Sequence, residues 1–563
     1  MITEWTLKTS DPTAGLTTEL GLTPLTAKLL RHRKIQTVEE ARKFLHGTLE
    51  DLQDPYLLAG MEKAVRRILE AVEASELIIV HGDYDVDGVT ASSIVGRTLT
   101  RLGAKWKPFV PHRVKNGYGF TKGGVEFAKE EGAKIIITLD CGTVSIDEVK
   151  DAQAAGIDCL IFDHHQIKDG QLPEAHSVVN PFRPDCESPF KFYCATGLAF
   201  KLAQALLGKK ALDYIDLSSL GTVGDMVPLV GENRLFVKFG LRAMSESPRM
   251  AIRMMAESAK LKSRKVHVGH LGFVFAPRIN ASGRMDSAET SLNLLLSEDA
   301  LEAAKLAGEL EKQNKKRRDL EQNTTKQAIK KVEREVNFNQ DRVIVVWDSS
   351  WHPGVIGIVA ARLVERFHRP ALVISVNEEG MGKGSGRSVR RVNLYDLLKR
   401  ASSPLLQFGG HEQAVGLSAE EKSLPVFRQL INEIAREWIL PEDLSKVYEI
   451  DAEIGLKDLT ITQMKEIAML EPFGLGNPKP VFLTRNAELR PIPSRWFASN
   501  EQRFFAIHDG KNFEAVWNPK DGDARIPAGH YDILYSPILR IWEGHEIFEL
   551  EIRDIKKSVQ NEK

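Results

Sequence analysis

His81, Asp83, Asp85 and Asp87, all within His81-Gly82-Asp83-Tyr84-Asp85-Val86-Asp87-Gly88, are the densest set of chemically able side chains in the chain. They follow Leu77-Ile78-Ile79-Val80, an apolar run that reads as a buried strand. If the backbone stays extended past Val80, alternate side chains share a face and all four groups point one way. Three carboxylates beside an imidazole repel one another unless a cation sits among them, so the pattern predicts a divalent metal. Asp83, Asp85, Asp87 and Gly88 also match the first half of an EF-hand loop. That loop needs a bidentate Glu where this chain has Ile94, and a helix where it has a strand, so calcium of that kind is excluded. Two further strand-like runs end on the same residue types: Lys134 to Leu139 leads into Asp140-Cys141-Gly142, and Asp158 to Phe162 into Asp163-His164-His165. Parallel α/β sheets bind ligands beyond the carboxyl ends of their strands, so a site shared by the three ends is expected. Cys141 reads as packing. Asp225, in Thr222-Val223-Gly224-Asp225, reads from its residues as a loop or N-cap carboxylate.

A second group of residues suits an anion. Arg278, Asn280 and Arg284 read as planar donors on a short loop over 276–286, fitted to phosphate oxygens. Gly380 to Ser388 reads as a glycine-rich loop whose backbone approaches an anion, with Lys383, Ser385 and Arg387 supplying donors and charge. It is not the GxxxxGK[ST] phosphate loop, so nucleoside triphosphate binding does not follow. From 383 to 400, six basic residues stand against the single acid Asp396, a local track suited to a phosphate backbone. Gly409-Gly410-His411 adds a close-approach turn with a donor.

These residues need elements to position them. Residues 1–60 read as a small helical segment, with Thr37 and Glu40 forming a capping box. Over 61–245, strands at 77–81, 106–110, 134–139, 158–162 and 177–179 alternate with helices at 89–102 and 145–155, and 193–245 is mainly helical. That alternation predicts a mostly parallel sheet covered on both faces. Residues 246–340 are helical; Glu309 to Asn337 lacks Gly and Pro and predicts a connecting helix roughly 40 Å long at ~1.5 Å per residue. A second α/β unit occupies 341–440, with strands at 343–347 and 371–376 and His352 in the turn before a helix ending near Arg366. The tail, 441–563, has short alternating strands and predicts a small β-barrel of OB-fold type. Trp496, Phe497, Phe504, Phe505, Phe513 and Trp517 supply its core and its candidate platforms for stacking bases.

At 563 residues the chain is too long for one core. A hydrophobic content of 42% with 27% charged residues fits globular protein, and a net charge of -1 confines any polyanion site to a local patch. Four Cys without CxxC spacing, no signal-like start and no membrane-length apolar run predict a cytoplasmic protein with reduced thiols.

Taken together, HGDYDVDG, LDCG, FDHH and GTVGD resemble the four motifs of the DHH phosphoesterase superfamily. APRINASGRM, WHPGVIGIVA, GSGRS, the GGH turn and Glu471-Pro472-Phe473-Gly474-Leu475-Gly476-Asn477-Pro478 narrow the resemblance to its single-strand-specific 5′→3′ DNA exonucleases. The resemblance implies two α/β domains, DHH and DHHA1-like, joined by a long helix around a central groove, plus a C-terminal OB-fold barrel. It implies two divalent ions, Mn²⁺ or Mg²⁺, a choice the oxygen-rich donor set also favours. By the same likeness His81 and Asp85 would bind one ion with Asp83 beside it, Asp140 would bridge, and Asp87, His164 and Asp225 would hold the second. His165 would touch the scissile phosphate, oriented by Asp163, with Arg278 offsetting charge there; Asn280, Arg284, His352 and His411 would contact the strand, and Ser385 and Arg387 would grip its 5′ phosphate. A monomer acting on single-stranded DNA with a 5′ end is implied, with single-stranded-DNA-binding protein and a helicase as partners in recombination and mismatch repair. Two alternatives stand beside this reading: a phosphodiesterase of the same superfamily acting on short oligonucleotides or cyclic dinucleotides, and a non-catalytic replication scaffold.

Overall fold

Short runs of branched apolar residues form the first sheet. Its strands lie in the order Lys105–Phe109, Leu77–Gly82, Ile135–Leu139, Asp158–Phe162, Ser177–Val179, and every pairing is parallel. The two central strands, Leu77–Gly82 and Ile135–Leu139, are buried almost throughout, as a sheet covered on both faces requires. The computed structural model describes residues 3–9, 14–112, 119–167, 170–263, 265–493, 501–519, 525–542 and 545–558.

The second sheet has the order Gln407–His411, Ala414–Glu420, Met381–Arg387, Ala371–Val376, Ile344–Asp348, with only the last two strands parallel. Here the expected glycine-rich loop is instead a strand. Gly382, Gly384 and Gly386 alternate onto the buried face, where a Cβ would lie 3.0 Å from Ile374, 2.8 Å from Leu417 and 2.5 Å from Leu372. The glycines make room for neighbouring Leu and Ile side chains rather than for an anion, and Lys383, Ser385 and Arg387 take the opposite face.

One helix, Ala300–Glu335, is 36 residues long and spans about 54 Å at ~1.5 Å per residue. Asp299 caps it, so it begins well before the Glu309 expected from the sequence; Gly308 is tolerated inside it because open space surrounds that position. Ala303, Ala307, Leu310, Asn314, Arg317, Glu321, Thr324, Ala328 and Val332 recur at helical spacing on its buried face. The first half packs on the helices Met250–Ser258 and Ala276–Met285 and the second on Ile356–Phe367, so one rigid rod serves both α/β units.

The C-terminal strands close into a barrel: Phe482–Pro491, Gln502–His508, Lys511–Trp517, His545–Lys557 and Gly529–Trp542 pair in turn, and the last returns to the first. The N-terminal segment joins it. Thr3–Leu7 runs parallel to Lys446–Ile450, and Leu25, Leu29 and Leu45 share a core with Leu456, Phe482, Phe504 and Tyr535. Of the aromatics singled out above, Phe504 is core, Phe513 and Trp517 are half-buried, and Phe505 is exposed; Trp496 and Phe497 lie outside the described residues. No helix among the described residues is long and apolar enough to cross a membrane.

Candidate metal centre

The chain leaves the Leu77–Gly82 strand and turns at once into the helix Val86–Arg101, so the extended run expected through Asp87 does not form. The helix start leaves amides without partners, and local acceptors take them. Asp85 Oδ1 accepts from the Asp87 and Gly88 amides at 2.9 and 3.1 Å, and Asn280 Oδ1 accepts from the Val86 amide at 2.7 Å. Asn280 rides on the helix Ala276–Met285, where a loop was expected; that helix approaches so closely that a Cβ on Gly283 would lie 2.4 Å from the Tyr84 carbonyl oxygen.

The turn gathers three carboxylates and leaves His81 behind. Ligand-type atoms come within 4.8 Å of one another in three sets: Asp83, Asp85 and Asp140; Asp87, His164 and Asp225; Asp140, His164 and His165. Asp140 and His164 each belong to two sets, so the groups are contiguous. His164 Nε2 lies 3.0 Å from Asp140, 3.6 Å from Asp225 and 3.7 Å from Asp87. His81 instead sits in an apolar pocket, 5.0 Å from the Phe109 ring and 5.2 Å edge-on from Phe120, with Nδ1 3.8 Å from Cys141 Sγ. Because the strand ends at Gly82, the alternation that put His81 on the carboxylate face does not carry across the turn, and the ring packs here among Phe109, Phe120 and Cys141.

Backbone geometry fixes the other members. Asp140 has φ 64°, a left-handed conformation costly for a non-glycine residue, which lifts its carboxylate off the strand end. Asp225 closes the helix Ile215–Gly224, where a loop was expected, and Met226 at φ 60° ends it. Asp87 accepts from the Ala195 and Thr196 amides at 2.7 and 2.8 Å, at the positive end of the helix Ala195–Leu207.

The electrostatics call for cations. Burial, then the neighbouring Asp85, pushes the Asp83 carboxyl up to about 8. Burial and adjacent carboxylates also raise Asp85, Asp140 and Asp225, the last two well above the ordinary range. Burial lowers His164, keeping it neutral and able to ligate. Asp83 Oδ1 is buried with no hydrogen-bond partner among the described residues. Carboxylates with one or two imidazoles are the donor set of a hard divalent cation, and this one fits. The buried Cys141 thiol, pushed far up by burial, is no thiolate ligand.

Asp163 and His165 form a different pair. His165 Nδ1 lies 2.6 Å from Asp163, whose other oxygen accepts from the Thr143 amide at 2.9 Å. Burial opposes both charges, but the hydrogen bond and the mutual attraction win, lowering Asp163 and raising His165. Asn180, which the sequence reading missed, braces the pair by donating to the His165 carbonyl at 2.9 Å. Its signal was legible, since it follows the end of the fifth strand at Val179.

Arg278 is buried, 2.6 Å from Glu311 of the long helix, and donates to the Val274 carbonyl at 2.7 Å. Nothing in the sequence marked Glu311 as its partner. The anion-suited residues of the second sheet gather at the start of the helix Ile356–Phe367, where a Cβ on Gly357 would lie 3.0 Å from Ser385 Oγ and 3.4 Å from Arg387 Nη2. His352 Nδ1 accepts from the Gly354 amide at 2.9 Å in the turn just before it. Across the sheet Arg387, Ala414 and His411 stand in register. Gly354 abuts the Arg284 carbonyl, with a Cβ clearance of only 2.7 Å, so the helix Ala276–Met285 touches the second α/β unit beside this helix start.

Comparison with known proteins agrees with this geometry. Residues 77–222 match the DHH family N-terminal domain, 340–437 the DHHA1 domain and 450–554 the RecJ OB domain. The chain is 40% identical over 547 residues to the single-stranded-DNA-specific exonuclease RecJ of Bacillus subtilis, covering 97% of this chain and 69% of that protein. It is 31% identical to the Haemophilus influenzae protein of the same description, covering 95% of this chain and 94% of that one. The crystal structure of Thermus thermophilus RecJ in complex with Mn²⁺ superposes with a TM-score of 0.84 at 30% identity, covering 99% of this chain and 80% of that one.

Proposed function

The chain belongs to the RecJ family of single-stranded-DNA-specific exonucleases, and from that premise we propose that it removes nucleotides from the 5′ end of single-stranded DNA by metal-dependent phosphodiester hydrolysis. The observation that carries this reading is the pair of ligand sets joined through Asp140 and His164. Asp83, Asp85 and Asp140 would hold one ion; Asp87, His164 and Asp225 would hold the second, with Asp140 shared. Bound there, two divalent ions, Mn²⁺ or Mg²⁺, supply the Lewis acidity that activates water and stabilises the departing 3′ oxygen.

The remaining steps fall to the chain's own side chains. Asp163 holds His165 in one orientation and favours its protonated form, so His165 can donate to the scissile phosphate as charge builds on its oxygens. Arg278 would add charge there once it exchanges Glu311 for phosphate, and Asn280 and Arg284 lie on the same helix. Ser385 and Arg387 stand where a helix start presents unpaired amides, a ready anion site. They would grip the 5′ phosphate with His352 and His411 alongside, fixing the cut at one nucleotide from the end. Each cut leaves a new 5′ phosphate for the same grip. A neighbouring cavity of about 930 Å³, lined by Trp351, Met381, Lys383, Phe408 and Leu417, has the size and lining to take a terminal base. The barrel, with Phe505 exposed, would hold the strand beyond.

The domain division at 1–60, 61–245, 246–340, 341–440 and 441–563, a monomeric state, a cytoplasmic location, and recruitment by single-stranded-DNA-binding protein and a helicase in recombination and repair complete the proposal. The test is a substrate panel with Mn²⁺ and with EDTA. Mononucleotide release from 5′-phosphorylated single strands, lost in EDTA, is expected. Faster cleavage of dinucleotides or cyclic dinucleotides would move the protein to the small-substrate phosphodiesterases, and no turnover on any substrate would make it a scaffold.

A further inference from the structure

The short segment between Asp225 and the helix Gly231–Glu246 does not stand alone. Leu229 donates its amide to the Leu475 carbonyl at 2.7 Å, a bond between the metal-bearing unit and the loop Glu471–Pro478 that leads into the barrel. Two glycines make this approach possible. A Cβ on Gly474 would lie 2.6 Å from Leu229 Cδ1, and one on Gly476 would lie 2.9 Å from Pro228 Cβ; Gly476 also has φ +74°.

The loop itself is held stiffly. Gly474 and Asn477 exchange both backbone hydrogen bonds, at 2.9 and 3.1 Å. The fully buried Asn477 side chain donates to the Leu470 and Pro472 carbonyls at 2.8 and 2.9 Å and accepts from Arg33 Nε at 2.6 Å. Arg234, on the helix Gly231–Glu246, donates to the Leu470 and Met469 carbonyls at 2.8 and 3.1 Å. Soon after Asp225, therefore, the backbone is clamped to the barrel at Leu229, while Met226 between them occupies a left-handed conformation that leaves little slack.

We infer that the Gly474–Asn477 turn is a positioning element for the metal centre: it fixes the backbone after Asp225, so that the seating of the barrel sets how Asp225 meets its ion. This rests on the reading of Asp225 as a metal ligand. Supporting partners of this kind change metal affinity by about 10- to 100-fold when disturbed.

Gly474→Ala, Gly474→Ala with Leu229→Ala, Leu475→Ala and Asp225→Asn would be compared by Mn²⁺ titration calorimetry, together with kcat and KM on single-stranded DNA. Asp225→Asn is expected to lose one of two bound Mn²⁺. Gly474→Ala should weaken one Mn²⁺ by about 10-fold and lower kcat with KM unchanged. Removing the Leu229 side chain it strikes should restore both, and Leu475→Ala, which keeps the carbonyl, should match the parent. Wild-type Mn²⁺ binding in Gly474→Ala, or a loss that Leu229→Ala does not relieve, overturns the inference while leaving Asp225 a ligand. Two Mn²⁺ retained by Asp225→Asn would instead overturn the ligand reading, and the inference with it. If Gly474→Ala does not fold, Gly476→Ala, which presses Pro228, is read the same way.

Discussion

The two α/β units solve opposite electrostatic problems, the first at the carboxyl edge of a parallel sheet and the second at the edge where a helix start meets a mixed sheet. At the first edge, strand ends and a helix start crowd buried acids together, and burial raises Asp83, Asp85, Asp140 and Asp225. At the second, a helix start and the Arg387 guanidinium present positive charge beside Ser385 and His352. One site needs cations and the other suits an anion, and a phosphodiester strand with bound ions would satisfy both. The difference teaches that, on the proposed function, one sheet carries the chemistry and the other the measurement, so damage to each should fail differently.

The largest break comes at the first edge. Asp140→Ala removes the carboxylate shared by two ligand sets and should abolish hydrolysis while a gel-shift assay still detects strand binding. Normal turnover in that variant would end the metal assignment. At the second edge the effect is graded. Arg387→Ala removes a charged hydrogen bond of roughly 1.5–3 kcal/mol, so preference for a 5′-phosphorylated over a 5′-hydroxyl end should fall on the order of 10- to 100-fold. Competition between the two ends measures this, and an unchanged ratio would take the phosphate grip away from Arg387.

The same contrast explains what the sequence disclosed. The parallel sheet was legible because four apolar runs end on polar residues, and four of the carboxylates that gather lie at or just past such ends. The alternation rule failed one residue beyond Gly82, since Asp85 can cap a helix as readily as it can extend a strand. In the second unit the glycines of Met381–Arg387 hid a strand, because period-two glycine looks like loop chemistry until the Leu and Ile residues that fill the space are known. The Arg278–Glu311 pair joins residues 33 positions apart through tertiary packing and left no local sign. The join of the N-terminal segment to the barrel is of the same kind, a contact between chain ends that no short-range pattern encodes.

A smaller effect separates the edges by pH. An acid raised in the folded state keeps a proton that the unfolded chain has lost, so stability falls as pH rises from its ordinary value through the folded one. For Asp83 that window runs from about 4 to about 8, and Asp85, Asp140 and Asp225 act in the same sense. His165, raised by Asp163, contributes stability below its usual 6.5 that is also lost on going up. His81 and His164, both lowered, and Asp163, also lowered, lose stability only on acidification, so they do not oppose these losses above neutrality. In EDTA the melting temperature should therefore drop between pH 7 and 9, and Mn²⁺ should flatten the drop by stabilising the ionised carboxylates. Parallel melting curves with and without Mn²⁺ would show that the raised acids do not meet the ion.

The smallest expected effect is at His81, and it bears directly on where the first edge stops. Its ring lies against Phe109 and Phe120, and burial pushes its imidazole down to about 4. Among the described residues Nε2 has no hydrogen-bond partner, and Nδ1 has the long, weak contact to Cys141 Sγ at 3.8 Å. A neutral buried ring so weakly bonded can be exchanged for an apolar side chain of similar volume at little cost, because no strong hydrogen bond is broken. His81→Leu should keep both Mn²⁺ and full exonuclease activity, with stability changed by less than about 1.5 kcal/mol. Loss of one Mn²⁺ would mean that the ring turns toward the carboxylates when ions bind, and would return His81 to the ligand set that the motif suggested.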